Sequence, residues 1–444
     1  MAQIPANIEN SALLVDKMLQ SDSGFHQLHD LLKASAGYPT ISGLQEIDYP
    51  ILNDYQSTIR SLSQLNVMST IPLPPAITEQ FGYMQQNCEM GLLPEIGRAW
   101  LTVDSNIFLW SYDNGSDVAY YDGLTETILA VGLIKPKPGI LREHIKYLLC
   151  LTTPVEIVLL GVTFANSSED INDLLLVPEP IFSLATDNVI MGVIAGTESG
   201  RLFLGGKDGC LYEVVYQAED GWFSRKCRKV NHSTGALSFL IPSFISFSEE
   251  DPILQIEIDN SRSLLYTRSE KGTIDLYYLG ESGNGVSKVA SKTLHSIVQQ
   301  ASYIARTIDS NNFKPIVHLS AIEESESLYI NLMAVTESGI RLYFSTTNMT
   351  RTDQRASFLN LVHIRLPPGY SASSSSIQRI NRVHKAHCKR SYTLMVSNQS
   401  DVKDIVWSLS NDPFAYEPQL MELFSVANLN GKMWKLCEEV KRQI

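Results

Sequence analysis

The chain has 444 residues, 44% of them hydrophobic and 19% charged, with a formal net charge of −13. That composition is long and apolar enough for a sizeable core and excludes intrinsic disorder as the default state. The acidic balance argues against broad nucleic-acid binding, because phosphate contacts need a basic footprint, and no direct nucleic-acid partner is expected. The six cysteines, at 88, 150, 210, 227, 388 and 437, form no CxxC pair and read as reduced thiols, not as a disulfide framework. The opening MAQIPANIENSALLVDKMLQ lacks the basic and apolar blocks of a signal peptide. No apolar run approaches the ~18 residues that a membrane span requires.

Residues 1–70 read as a helical and extended arm. Ile8–Leu19 and Phe25–Leu32 carry apolar residues at helical spacing on either side of the turn-like Ser21–Gly24. An extended stretch through Tyr38-Pro39 and Tyr49-Pro50 then docks onto the β-rich remainder of the chain. From Ile71 to Tyr416 the texture changes to short β-branched and aromatic runs bounded by Gly, Asn, Asp and Ser. The strands expected are Ile107–Tyr112, Ile128–Val131, Val155–Leu160, Val189–Ile194, Leu202–Leu204, Leu211–Tyr216, Leu264–Tyr266, Ile274–Leu279, Tyr329–Val335, Ile340–Phe344, Tyr392–Val396 and Val402–Trp407.

One unit recurs: a polar turn ending in glycine, then an alternating strand. It appears at Glu198–Gly200, Lys207–Gly209, Glu270–Gly272 and Glu337–Gly339. Glycine there supplies positive φ and lets the next strand leave antiparallel. The spacing suggests four-stranded blades of about 40–50 residues, which makes 71–416 a seven-bladed β-propeller. The fold class is therefore mainly β, with a short helical extension before the propeller and the start of a helical region after it. Ser282–Asn312 reads as a polar insert ending in a helix over Ile297–Ile308. Gly369–Lys389 reads as a polar loop. In 417–444 a closing strand precedes a helical tail over Leu429–Ile444, which stops without a cap, as a solenoid cut inside a longer protein would.

Catalytic patterns are scarce. Walker A, strand-leading GxGxxG, HExxH and GxSxG are all missing, so no catalytic, cofactor-binding or metal residues are assigned and no enzyme activity is expected. Gly205–Gly209 sits between strands and reads as a hairpin turn. His384, His387 and Cys388 would share a face only on a helix, and the flanking Arg382, Lys385, Lys389 and Arg390 would repel a cation.

One segment asks for a functional reading. With about 100° per residue, Leu237, Leu240, Ile241, Phe244, Ile245 and Phe247 fall within roughly 160° of one helical face, while Ser238, Ser243 and Ser246 take the other. Phe239 is out of register but adds apolar surface. Bulky apolar residues opposite uncharged small ones suit insertion into loosely packed, curved bilayers. Arg225, Lys226, Arg228 and Lys229 just upstream could add roughly 1 kcal/mol each near anionic headgroups. Two other readings stay open: a buried strand pair or docked loop bent at Pro242, and a protein-docking loop.

The run from Leu73 to Leu141, with Asp48-Tyr-Pro50 and Thr153-Pro-Val-Glu-Ile157, resembles the large inner-ring scaffold nucleoporins of animals and fungi, the animal form most. The resemblance covers essentially the whole chain. It implies an amino-terminal seven-bladed propeller ahead of a helical solenoid, at the nuclear pore complex of the nuclear envelope, in pore assembly and nucleocytoplasmic transport. It implies peripheral contact with the curved pore membrane through an amphipathic loop, whose place and character Leu237–Phe247 match. It also implies other nucleoporins as partners, among them inner-ring scaffold and pore-membrane proteins and a linker nucleoporin with an RNA-recognition-like fold. Phe-Gly repeats are absent, as in a scaffold.

Overall fold

Antiparallel meanders dominate the computed structural model. It describes residues 11–13, 15–16, 39–43, 71–85, 87–112, 117–165, 173–218, 226–233, 251–280, 285–346, 358–367, 382–386, 392–398, 404–410, 422–424 and 432–433, with backbone alone from 382 onward. Two compact units divide the chain: Met1–Met68 with Lys292–Val426 and Leu436–Ile444, and Ser69–Ser291 with Ala427–Lys435.

Residues 11–13 and 15–16 are helical, inside the first helix expected, whereas the second, Phe25–Leu32, lies outside the described residues. Strand β1 (Thr40–Ser42) comes next, then β2 (Ile71–Pro72) and the single turn α1 (Pro75–Thr78). Pro75 opens that turn because its fixed φ and missing N–H suit a first helical position.

Four meanders fill the second unit. The first is β3 (Cys88–Leu93), β4 (Arg98–Val103), β5 (Asn106–Ser111) and β6 (Ala119–Tyr121). The second is β7 (Ala130–Ile134), β8 (Tyr147–Thr152) and β9 (Glu156–Phe164), with β10 (Leu174–Leu176) and β11 (Phe182–Ala185) sharing the outer edge of β9. The third is β12 (Met191–Gly196), β13 (Leu202–Gly206), β14 (Leu211–Tyr216) and β15 (Cys227–Asn231). The fourth is β16 (Ile253–Asp259), β17 (Leu264–Ser269), β18 (Ile274–Tyr278) and β19 (Ser287–Lys292).

The first unit adds α2 (Leu294–Ile304) and two more meanders. These are β20 (Ile316–Ala321), β21 (Leu332–Thr336), β22 (Arg341–Ser345) and β23 (Asn360–Arg365), then β24 (Arg382–Ala386), β25 (Tyr392–Asn398), β26 (Asp404–Ser410) and β27 (Glu422–Phe424). Strand β1 joins β23 in parallel, as a fifth strand. Finally β28 (Lys432–Met433) pairs antiparallel with β2. The architecture is mainly β and of the propeller type. Against the seven blades expected, the described residues supply six full meanders and this two-stranded ladder.

Cores form where consecutive meanders stack. Ile107, Leu109, Leu149, Leu151 and Leu160 are buried between the first and second. Leu148, Leu159, Leu202, Leu204 and Val214 are buried between the second and third, and Phe203, Leu211, Ile256, Leu265 and Tyr277 between the third and fourth. Each such side chain contributes roughly 1.5–3 kcal/mol of burial. Because β8 and β9 are covered on both faces, they read as continuous apolar runs and not as alternating ones.

The four recurring turns share one geometry. Gly200, Gly209, Gly272 and Gly339 have φ between +79° and +86°. Each glycine N–H donates to the carbonyl three residues back, at 2.9–3.1 Å.

Three expectations are corrected. The insert Ser282–Asn312 contains β19, whose outer position leaves it largely exposed and therefore polar in sequence. Its helix runs Leu294–Ile304, not Ile297–Ile308, because Thr293 caps it, its Oγ1 accepting from Ser296 N at 3.3 Å. In the loop expected over Gly369–Lys389, residues 382–386 form β24; His384 is thus in a strand, not on the helix that shared ligation would need, and His387 and Cys388 lie outside the described residues. In the tail, Lys432–Met433 is a strand, since pairing with β2 overrides local helix preference.

Arm and meander meet at β1. The ring nitrogens of His363 on β23 contact Thr40 Oγ1 at 2.6 Å and Ser42 Oγ at 2.8 Å. Burial, then the charges of Arg365 and Arg341, pushes the imidazole down to about 3. A neutral ring can accept one hydroxyl and donate to the other.

The unfolded chain takes up a proton near pH 6.5 that folded His363 refuses until about pH 3, so stability is present above pH 6.5 and is lost as pH falls through that window. Melting temperatures between pH 7 and pH 5 should fall, with a flatter slope in His363→Gln; equal slopes would remove this histidine from the account. The glycine turns give a second expectation. Gly97→Ala (φ +60°, nothing within 4 Å) should cost only left-handed strain, about 1–2 kcal/mol. Gly200→Ala (φ +86°) should cost more, because its Cβ would lie 2.5 Å from the Lys137 backbone nitrogen. Thermal unfolding of the two variants ranks them.

Candidate interaction site

The apolar segment singled out by the sequence belongs to the connection between β15 and β16. Leu237, Phe239, Leu240, Ile241, Phe244, Ile245 and Phe247, together with Arg225, lie outside the described residues. Both stems of the connection are described, and both are fixed.

On the β15 side, His232 N donates to Leu211 O at 2.8 Å, and Leu211 N donates to Ser233 Oγ at 2.8 Å. Asn231 Oδ1 accepts from Ser233 N at 2.8 Å, the local turn that an Asn side chain favours. On the β16 side, Glu270 N donates to Pro252 O at 2.8 Å and Lys271 N to Asp251 Oδ1 at 2.9 Å. Gly209 belongs to this stem as well: a Cβ there would come within 2.8 Å of Asp251 O. The two stems therefore sit on the same rim of the third and fourth meanders, against the turns at 207–209 and 270–272.

Under the β15 stem is a buried charge cluster. Arg201 Nε and Nη2 donate to Glu213 Oε1 and Oε2, each at 2.8 Å, and Arg201 Nη1 donates to Leu279 O at 2.9 Å and Gly285 O at 3.0 Å. The guanidinium also sits 4.9 Å from the Phe203 ring centroid. His232 Nε2 contacts Glu213 Oε2 at 2.9 Å and so ties the stem to the pair. Burial alone raises the Glu213 carboxyl, but the hydrogen bonds and charges of Arg201 and His232 outweigh it and hold the group at about 2. Sequence reasoning missed this cluster. Its signal is Glu213, a carboxylate in the middle of the otherwise apolar strand LYEVVY, which needs a cation once that strand is buried.

The four basic residues are not equivalent. Lys226 and Arg228 are exposed and share one side of the β15 edge. Lys229 points the other way: its Nζ is 2.8 Å from Asp187, donates to Thr186 O at 2.6 Å and lies 5.2 Å from the Tyr212 ring centroid. Strand β15 also separates the two features that adjoin in sequence. At about 3.3 Å per residue, Lys226 and Ser233 are roughly 23 Å apart. Lys226 and the root of the apolar segment at Ser233 are thus at opposite ends of β15. Among the described residues no cluster of His, Cys, Asp and Glu could hold a metal, and the free Cys150 is buried while Cys88, Cys210 and Cys227 are half-buried.

Glu213→Ala should leave Arg201 buried without its carboxylate and cost about 3–5 kcal/mol in denaturant unfolding. A loss below about 1 kcal/mol would show that the pair carries little of the stem's stability.

The comparisons with known proteins agree with this architecture. The family model for nucleoporins, Nup133 N-terminal like, matches residues 61–443. Nuclear pore complex protein Nup154 of Drosophila melanogaster is 40% identical over 433 residues, covering 90% of this chain and 32% of that one. Nucleoporin NUP170 of Chaetomium thermophilum is 30% identical over 377 residues, covering 81% and 25%. The crystal structure of the Chaetomium thermophilum Nup170 N-terminal domain in complex with Nup53 is similar at a TM-score of 0.71 and 27% identity, over 91% of this chain and 58% of that one. The chain spans about a third or less of the length of the curated relatives it matches. It belongs to the Nup133 N-terminal-like family of nucleoporins.

Proposed function

We propose that this domain is a scaffold of the inner ring of the nuclear pore, holding the coat against the curved pore membrane through Leu237–Phe247 and presenting its meanders to other nucleoporins. Pore assembly and nucleocytoplasmic transport depend on it in that capacity. The observation that carries the membrane reading is the pair of fixed stems. They hold both ends of a segment rich in Leu, Ile and Phe at one rim of the third and fourth meanders, where hydrophobic burial can act on a bilayer. Arg225, Lys226, Arg228 and Lys229 contribute less than their position in sequence suggests, since β15 carries Lys226 to the far end and Lys229 is bound to Asp187.

The crystal structure of the Chaetomium relative in complex with Nup53 supports other nucleoporins as partners of this domain, and the family resemblance adds a linker nucleoporin with an RNA-recognition-like fold. Inner-ring scaffold and pore-membrane proteins complete the set that the family resemblance implies. The second reading is a purely protein-docking scaffold, in which the same apolar segment seats on another subunit and never meets lipid.

Flotation with small and large liposomes of one composition separates the two. The membrane reading expects preferential flotation with the small vesicles, lost in the double substitution Phe244→Asp and Ile245→Asp with the melting temperature unchanged. An unchanged bound fraction in that variant sinks the assignment of the segment. A fall in melting temperature alongside lost binding favours a buried strand in its place. Absence of flotation with either vesicle size leaves the protein-docking reading.

A further inference from the structure

The opposite end of the second unit carries a different surface. Strand β7 is joined to β8 by residues 135–146, whereas the third and fourth meanders make the corresponding connection with short turns at 197–201 and 260–263. Long connections in compact domains tend to be functional. This one is built into the fold. Ile140 N donates to Lys137 O at 3.3 Å, Ile145 N to Arg142 O at 3.0 Å and Lys146 N to Val162 O at 2.9 Å. Ile140, Leu141 and Ile145 pack on the core between the second and third meanders. Lys137 N donates to Tyr216 Oη at 3.0 Å, and that hydroxyl donates to Gly200 O at 2.7 Å. Lys137 Nζ lies 5.1 Å from the Tyr216 ring centroid.

The loop so held is cationic. It contains Lys135, Lys137, Arg142 and Lys146 against the single acid Glu143, in a chain of net charge −13. Lys135, Arg142 and Lys146 are exposed. Tyr216 pairs with Cys227, which brings Lys137 beside the face of β15 that carries Cys227. Among the described residues, none of Lys135, Lys137, Arg142 and Lys146 makes an ion pair. The buried acid near Lys137, Glu213, is already committed to Arg201 and His232. Four cations without an ion pair among the described residues repel one another on an ordered surface, and an anionic partner relieves that repulsion.

We propose that the 135–146 loop is a docking site for an acidic segment of a partner protein. A bilayer suits it less well, because the apolar residues of the loop are turned onto the core and leave nothing to insert. A nucleic acid suits it less well too, since the rest of this acidic chain would repel a long polyanion.

The test uses the 444-residue chain and a fluorescein-labelled peptide of alternating Glu and Ser, with binding read by fluorescence anisotropy at low and moderate salt. The triple variant Lys135→Glu, Arg142→Glu, Lys146→Glu should weaken binding at least roughly tenfold. A control that reverses Lys207, Arg306 and Lys314, three exposed cations elsewhere, should leave the affinity within about twofold. All six positions are exposed, so both variants should keep the parent melting temperature. Equal losses in the two variants overturn the proposal in favour of unspecific charge attraction. Unchanged peptide affinity in the loop variant overturns it too, and loss of flotation with phosphatidylserine vesicles in that same variant would then assign the surface to lipid.

Discussion

Stacking one antiparallel meander face to face on the next is the constraint on which the rest of this molecule depends. Inner strands such as β8, β9 and β13 are covered on both sides, so they carry apolar residues at consecutive positions and have no polar face to spare. Recognition is thereby driven to the strand ends and to the outer edge strands, where no residue of β15 or β19 is fully buried. A fold of this kind offers rims and edges to its partners and keeps its faces for itself.

Polar contacts obey the same geometry. The middle of each junction is apolar, and the bridges between meanders sit where strands begin or end. Asp117, paired with Arg98 of the first meander, accepts from Leu174 N of the second. Thr152 of the second donates to Met191 O of the third at 2.8 Å. Arg201 and Glu198 of the third reach Leu279 O and Asn260 Oδ1 of the fourth. Apolar stacking is indifferent to small slides between sheets, whereas hydrogen bonds of this kind fix the register of one meander against its neighbour. The Arg201–Glu213 pair does both jobs, since it also holds His232 and with it the root of the 234–250 connection.

Much of the fold was legible in the residues. The glycine turns at 200, 209, 272 and 339 all have the positive φ expected of them, and the strands after them fall where alternation put them. Strands β4 and β8 went unread because burial on both faces erases alternation, and β19 and β24 because outer or basic strands look like loops. The site was legible in part. Composition alone marks the apolar segment, but the distance from Lys226 to Ser233 depends on β15 being extended, and nearness in sequence, which alone linked the segment to its basic neighbours, carries no such information. Glu213 was visible as a misfit, but its partner Arg201 is met only through the β13–β14 pairing.

Strand direction finally decides how one unit can serve more than one neighbour. In a meander, alternate connections emerge at opposite ends, so the 135–146 loop and the roots of the 234–250 connection, at Ser233 and Asp251, are separated by the full length of the strands between them. Their chemistry is separated as well: one is cationic with its apolar residues turned inward, the other apolar and uncharged over 237–247 with two acids, Glu249 and Glu250, at its end. Tyr216 and Glu213 lie on the same strand, β14, and each secures one end, Tyr216 through Lys137 and Gly200, Glu213 through His232. A single buried strand thus anchors two surfaces of unlike character, which lets them be occupied independently while their spacing stays fixed. A fixed spacing between unlike contacts is what a scaffold requires, and here it rests on the rigidity of the third meander.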